Sequence, residues 1–243
     1  MITAVRPRLA DLLKGQRLIV EFVGPPGSGK STNCAAFTRH FSEQGLQVYQ
    51  FADVKTYLKK MKARKRLYIY METLLSRSSS LVSYLCVLLA NGIRSFDSII
   101  RYVKLCVFHT AALRFLEEKH ADILFLDQWS IQGLWSATIF KNGNYEELRQ
   151  HLPRFYLQPD WVLYFDASDE TASERIRGRR SGRSRFDCMD DQERLSALKR
   201  YRQHLFEMFE RSDCKNKLRL STDVSPGRNA EDFFRHLTLK TVG

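Results

Sequence analysis

Apolar residues are grouped along the chain in two ways, as short unbroken runs and as longer stretches with helical spacing. The runs at residues 18–23 (LIVEFV), 121–127 (ADILFLD) and 161–166 (WVLYFD) are almost wholly apolar. Such runs are typical of strands buried on both faces of a parallel sheet. Residues 46–51 and 218–221 predict two shorter strands. Because helical segments separate the strands, the pattern predicts an α/β fold with a sheet covered on both faces.

Helical periodicity accounts for most of the remaining chain. Between residues 54 and 120 it is the only pattern, and two long, largely apolar helices are expected on either side of Asn91-Gly92. We therefore predict a single domain over residues 1–243 with a helical insertion at about 54–120. The helices expected in the chain lie at 31–44, 67–89, 96–116, 129–140, 190–211 and 229–237.

Composition narrows the classes of ligand and of environment. The formal net charge of +12 predicts a surface that attracts polyanions such as nucleotides, nucleic acid or anionic lipid. The five cysteines are scattered and lack CxxC spacing, which argues against a zinc site and predicts a reducing, cytoplasmic location. The first 22 residues lack the pattern of a secretory signal. The most apolar segment, 81–90, is shorter than the roughly 20 residues of a membrane span, and predicts a buried helix.

A glycine-rich turn, GPPGSGKS, lies between the first predicted strand and the first predicted helix. It fits the P-loop pattern G-x-x-x-x-G-K-[ST], in which backbone N–H groups and the following helix N-terminus cradle phosphate oxygens. Lys30 is expected to reach the β- and γ-phosphates, and the Ser31 hydroxyl to bind Mg²⁺. The residues predicted to contact the nucleotide are Gly24, Pro25, Pro26, Gly27, Ser28, Gly29, Lys30, Ser31 and Thr32.

Three carboxylates follow predicted strands. Asp127 ends the run at 121–127, where an open parallel sheet has its ligand crevice, and it is predicted to hold Mg²⁺ or to cap the next helix. Asp166 has the same two interpretations, and a turn or cap is the stronger one. Asp53 is a candidate to accept a proton from a phosphoryl acceptor, or to cap the helix that follows. Phe51 and Tyr57 are candidates to stack on a base.

A dense arginine cluster follows the third long run and contains no acidic residue. Like charges packed this closely repel each other unless an anion neutralises them. Glycines and serines between the arginines predict a mobile loop that closes over phosphates, where an arginine can contribute about 10³–10⁵ in rate. A solvated basic loop and a nucleic-acid contact are the alternatives. The cluster consists of Arg175, Arg177, Arg179, Arg180, Arg183 and Arg185.

Several stretches together resemble the thymidylate kinase-like branch of the P-loop nucleotide kinases. They are GPPGSGKS, LFLDQWSIQGLWS, PDWVLYFDASDETASERIRGRR and SRFD, in that order. The resemblance implies a three-layer P-loop fold with a five-stranded parallel sheet, ATP as phosphoryl donor, Mg²⁺, and a lid over the phosphates. It assigns phosphate binding to residues 24–31, and the organisation of metal or substrate to Asp127. The lid contacts that it implies fall on Arg175, Arg179, Arg180 and Arg185.

Two departures from this family bear on the phosphoryl acceptor. The Asp-Arg pair of the family is Asp127-Gln128 here, and neutral glutamine lacks the charged fork that suits phosphate. The second predicted strand continues into Gln50-Phe51-Ala52-Asp53 in place of an Arg-Glu-Pro sequence. Three functions stay open: a Mg²⁺- and ATP-dependent phosphotransferase with a nucleotide, nucleoside or other small acceptor, an NTP-binding switch or regulatory ATPase, and a nucleic-acid- or membrane-associated ATPase.

The apolar helices predicted between residues 67 and 116 have three interpretations. They can form a core pair, a homodimer interface, or a face that lies on an anionic membrane. The third interpretation arises because six basic residues at 59–66 come directly before the apolar segment 67–70.

Overall fold

The computed structural model describes residues 17–91, 96–138, 155, 157–179 and 185–242. Its centre is one five-stranded sheet in the order β2-β3-β1-β4-β5, in which every neighbouring pair is parallel. The predicted fold class, an α/β fold with a five-stranded parallel sheet, is confirmed. The strands are β1 (Leu18–Val23), β2 (Val48–Gln50), β3 (Ile123–Leu126), β4 (Trp161–Asp166) and β5 (Lys217–Ser221).

Helices connect the strands. The described ones are α1 (Lys30–Glu43), α2 (Phe51–Lys60), α3 (Ala63–Ser76), α4 (Ser78–Ala90), α5 (Phe96–Lys119), α6 (Ser130–Thr138), α7 (Asp169–Arg177), α8 (Asp191–Glu210) and α9 (Pro226–Val242), and a short 3₁₀ helix lies at Arg185–Cys188. Helix α1 ends just before Gly45, whose φ of 85° is the left-handed conformation expected of a glycine after a helix.

Each face of the sheet has its own apolar layer, because successive residues of a strand point to opposite faces. Val20 and Phe22 of β1 pack on one face with α1 and α9, where Phe22 contacts the edge of Phe37 at 5.1 Å between ring centroids. Ile19 and Val23 pack on the other face with the remaining helices. The three layers that the sequence pattern predicts are therefore present.

The second strand is shorter than the sequence pattern predicts. Helix α2 begins at Phe51, because Gln50 and Asp53 form a capping box in which the Gln50 N–H donates to the Asp53 carboxylate at 2.8 Å. The capping box therefore ends β2 at Gln50, although the apolar pattern predicts a strand that reaches Phe51.

The helix predicted at 67–89 is two helices, α3 and α4, which meet at Arg77 with a bend of 67°. Serines flank the bend, and the Ser76 and Ser78 hydroxyls donate to carbonyls of the preceding turn. Taken singly, none of the helices in the described ranges has the length and apolar content to cross a bilayer. The bent pair α3–α4 meets that test only when the two helices are combined.

Candidate functional site

The P-loop connects the end of β1 to the start of α1 and lies against the first turns of α7. Gly27 and Gly29 have φ angles of 83° and 75°, which residues with a side chain rarely adopt. A Cβ atom on Gly27 would also lie 2.3 Å from the carbonyl oxygen of Ala172 in α7. Gly27 is therefore required both by its conformation and by the close approach of two backbones.

The ammonium group of Lys30 is held by oxygen atoms of its own loop. Its Nζ donates to the carbonyls of Gly24 and Pro25, at 2.6 and 2.9 Å. A third contact joins Nζ to the Ser28 hydroxyl at 3.3 Å. Loss of hydration, together with the charge of Arg179, lowers the pKa of Lys30 to about 7, although Asp127 opposes the shift.

Ser31 and Asp127 meet at the carboxyl end of the sheet. Strands β1 and β3 are neighbours, so Asp127, which follows β3, lies beside the start of α1, and the Ser31 hydroxyl donates to its carboxylate at 3.2 Å. Two oxygen ligands from the protein suit Mg²⁺, which usually completes its octahedron with water and substrate phosphates. Among the described residues there is no group of three or more His, Cys, Asp or Glu side chains that could hold a metal.

A buried carboxyl group in β1 is linked to the P-loop by hydrogen bonds through α6. Glu21, in the middle of β1, accepts hydrogen bonds from the backbone N–H groups of Ile131 and Gln132 at 2.8 and 3.2 Å. The Gln132 side chain in turn accepts a bond from the Gly24 N–H at 3.2 Å. Burial raises the pKa of Glu21 to about 8 against the opposing effect of these backbone bonds. Glu21 therefore holds the start of α6 in position, and α6 in turn contacts the first residue of the loop through Gln132.

The P-loop forms one wall of a cavity of about 590 Å³. Asp127 is the only carboxylate among the described residues that line it, whereas five cations and several aromatic rings share its walls. The cavity is therefore suited to a ligand that combines negative charge with a flat apolar part. The cations are Lys30, Lys55, Arg101, Lys104 and Arg179, and the aromatic residues are Phe51, Phe108, Trp129, Trp135 and Phe186.

Helices α2 and α5 supply three of the five cations that line the cavity. Arg101, Lys104 and Phe108 are spaced along α5 so that they share one helical face, and all three line the cavity. On α2, the Lys55 Nζ lies 4.1 Å from the centre of the Phe51 ring. The periodicity of residues 96–116 predicts an apolar helix and does not identify these cations. Positive residues one turn apart within an apolar helix were the available signal.

Glu21 and Gln132 were also missed, for two different reasons. Glu21 is a single polar residue inside an apolar strand run, a pattern that identifies a special residue but not its partner. Gln132 is the third residue of α6, and its contact with the P-loop depends on tertiary structure. Both become recognisable once β1 and α6 are adjacent.

The predicted arginines have different positions. Arg179 lines the cavity. Arg175 does not line the cavity. Its guanidinium donates to the carbonyls of Gly27 and Thr222 at 3.4 and 3.3 Å. Arg180 lies outside the described residues, as does the side chain of Arg185.

Several other predicted residues do not line this cavity. Asp53 caps α2 and borders a separate cavity together with Tyr57, whereas Phe51 lines the cavity beside the P-loop. Thr32 is exposed on the first turn of α1.

Asp166 has a structural role. It accepts a hydrogen bond from Arg202 at 2.6 Å and another from Arg219, which connects the end of β4 to α8 and β5. Burial alone would raise the pKa of Asp166, but the bonds from Arg219 and Arg202 lower it. Asp166 is therefore paired with two arginines and does not line the cavity beside the P-loop.

Comparison with known proteins does not identify a family for this chain. No protein-family model matches the sequence, and no curated protein sequence matches it. Among solved structures, a deoxyadenosine kinase from M. mycoides with bound products is similar over 90% of this chain and 98% of its own, with 14% identity and a TM-score of 0.46. A similarity at this level does not identify an activity.

Proposed function

We propose that this protein is a phosphotransferase that uses Mg²⁺ and ATP, and that its acceptor carries a negatively charged group next to a flat apolar part. The single observation that carries the proposal is the 3.2 Å contact between Ser31 and Asp127 beside Lys30, in a P-loop that opens onto a cationic cavity. This contact brings the two expected metal ligands together at the phosphate cradle.

The donor half of the site follows from the P-loop. Its backbone N–H groups and the N-terminus of α1 hold the donor phosphates, and Lys30 exchanges its loop carbonyls for phosphate oxygens. Ser31 and Asp127 would hold Mg²⁺, which neutralises charge that develops on the transferring group. Arg179 lines the same cavity and would stabilise that charge.

The acceptor half is proposed to lie between α2 and α5. Lys55, Arg101 and Lys104 bring three positive charges to walls that also carry aromatic rings. Arg101 is partly neutralised by Asp97, one turn earlier, at 2.9 Å, but this pair is exposed and weak. These cations offer the positive charge that neutral Gln128 lacks, so the acceptor phosphate is bound from the helical region rather than from the strand end.

The carboxylates favour the same acceptor. Phosphoryl transfer breaks the bond from the γ-phosphorus to its bridging oxygen and forms a bond to an acceptor oxygen. A hydroxyl acceptor must also lose a proton to a base. Asp127 is already engaged by Ser31, and Asp53 does not line the cavity. An acceptor phosphate attacks through an oxygen that is already ionised, so it needs neighbouring cations rather than a base.

Matched pairs of acceptors test the proposal. ADP formation from Mg-ATP would be measured with nucleosides and their monophosphates, and with sugars and their phosphates. At least one phosphorylated member is expected to raise turnover well above the rate without acceptor, while its neutral partner does not. Lys30→Ala should abolish turnover, and Lys55→Gln/Arg101→Gln/Lys104→Gln should raise KM for the acceptor with little change in KM for ATP.

Three outcomes separate the parts of the proposal. Turnover with neutral acceptors alone would contradict the anionic acceptor and leave the phosphotransferase intact. ATP binding without stimulation by any acceptor would favour the NTP-binding switch. A triple variant with weakened ATP binding and an unchanged KM for the acceptor would place Lys55, Arg101 and Lys104 on the donor side.

A further inference from the structure

The exposed apolar surface of this protein is concentrated on α3 and α4. Of the thirteen large hydrophobic residues that are exposed among those described, ten lie between residues 67 and 96. Leu75 is 74% exposed and Val82 is 60% exposed. Helix α4 buries only Tyr84 and Leu88, which contradicts the sequence prediction of a buried helix at 81–90. An apolar surface of this extent usually marks a binding face.

The exposed residues lie in helical rows on α3 and on α4. On α3, Leu67, Met71 and Leu74 lie at positions i, i+4 and i+7, with Leu75 beside them, and are all exposed. Helix α4 carries a second row at positions i, i+3 and i+7, and the two rows are together called the apolar face below. Its members on that helix are Val82, Leu85 and Leu89.

Positive charge adjoins this face. The eight residues before Leu67 contain six cations, and all six are exposed. Cations and apolar side chains also share a groove of about 710 Å³ between α2 and α3, where Lys59, Arg64 and Arg66 line the walls with Leu67 and Tyr70. The six residues, called the basic rim below, are Lys59, Lys60, Lys62, Arg64, Lys65 and Arg66.

Acidic residues are scarce on the same helices. Glu72 is the acidic residue of α3, and both of its bonds to Arg114 are short, at 2.7 and 3.0 Å. Helix α4 carries no charged residue. A second copy that docked through these same helices would therefore bring another basic rim and, on α3 and α4, only Glu72 as an acidic residue. An anionic membrane supplies negative charge for the rim and apolar depth for the face.

We propose that α3 and α4 with the basic rim form a docking surface for an anionic lipid membrane. The helices lie in the plane of the interface, with the apolar face among the lipid chains and the rim among the headgroups. The binding is peripheral and electrostatically assisted.

Co-sedimentation of the full-length protein with vesicles tests this surface. Vesicles of phosphatidylcholine alone would be compared with vesicles that contain about 30% phosphatidylglycerol, at low and high salt. Binding is expected to the anionic vesicles, and to weaken as salt rises. Lys59→Gln/Lys60→Gln/Lys62→Gln should lower the affinity by a factor on the order of 100. The matched control, Lys199→Gln/Arg200→Gln/Lys215→Gln, removes three exposed cations elsewhere and should bind nearly as the wild type does.

The apolar part is tested separately with Leu74→Ser/Leu75→Ser, which should lose vesicle binding while circular dichroism and ATP binding are retained. Absence of binding to anionic vesicles at low salt would overturn the proposal. So would equal losses in the rim variant and its control. A wild-type dimer that becomes monomeric in Leu74→Ser/Leu75→Ser, without vesicle binding, would identify a second copy as the occupant of the face.

Discussion

At the scale of single residues, burial and the charge of Arg179 lower the pKa of the Lys30 ammonium group. It is held by oxygen atoms of its own loop, and its pKa is lowered to about 7. Donor phosphates would place negative charge beside it. Because an anion stabilises the protonated form, nucleotide binding should raise this pKa and take up a proton wherever free Lys30 is neutral.

Proton uptake on nucleotide binding is the first prediction. Near pH 8, Mg-ATP binding should take up close to one proton per site, since the free lysine is then largely neutral. Calorimetry in two buffers of different ionisation enthalpy measures the uptake. Lys30→Arg serves as the control, because a guanidinium stays charged and should remove the uptake while it keeps a cation at the site. Equal uptake by both proteins would assign the proton to another group.

Glu21 gives a second prediction, for stability against pH. Its pKa is raised from 4.5 to about 8 by folding, so the native state binds more protons than the unfolded state between these values. Its contribution to stability is therefore lost as pH rises from about 4.5 to about 8, at up to about 1.4 kcal/mol per pH unit.

Urea unfolding of the wild type and Glu21→Gln from pH 5 to pH 8 checks this prediction. The glutamine oxygen can accept the same bonds from Ile131 and Gln132, and it cannot ionise. We expect the variant to gain stability relative to the wild type as pH rises. A difference in unfolding free energy that stays constant with pH would show that Glu21 does not titrate in this range.

At the scale of elements, the P-loop depends on the packing of its turn against α7. Gly27→Ala would force a Cβ into the Ala172 carbonyl and strain a left-handed residue, which alone costs about 1–2 kcal/mol. The expected result is a drop in ATP affinity of tenfold or more, or a loss of several kcal/mol in unfolding free energy. Gly227→Ala is the matched control, since a Cβ there would point into open space, with no contact within 4 Å beyond its own helix turn. Comparable losses in the two variants would contradict the packing argument.

The elements also indicate what a sequence alone can determine. Strands β1 and β4 lie at the predicted residues, because unbroken apolar runs of this length suit a buried parallel strand. The P-loop could be recognised because its chemistry is local. The bend at Arg77 and the short β2 arise from side-chain bonds to the backbone, which compete with periodicity. The orientation of an apolar helix depends on neighbours that periodicity does not specify.

At the scale of the whole molecule, the site is assembled from distant parts of the chain. Ser31 meets Asp127 because β1 and β3 are adjacent in the sheet, and Arg101 reaches the cavity because α5 packs beside α6. Sequence reasoning could name Lys30, Ser31 and Asp127 from motif and strand end. It could not name the cations of α2 and α5, because their role depends on this assembly.

The distribution of charge gives the basic composition two separate explanations. One group of cations lines the cavity, and the other forms the basic rim beside α3. The two groups make independent predictions. Loss of cavity cations should change kinetics and leave vesicle binding unchanged, whereas loss of rim cations should do the reverse.

Transfer of a labelled γ-phosphate tests the central claim most directly. The protein would be incubated with Mg-ATP labelled at the γ-position and with the phosphorylated acceptors, and the products separated. We predict label in a new phosphorylated product, dependent on Mg²⁺ and absent with Lys30→Ala. Label that stays in ATP, or that appears only as inorganic phosphate with every acceptor, would contradict the claim that this P-loop serves a phosphotransferase.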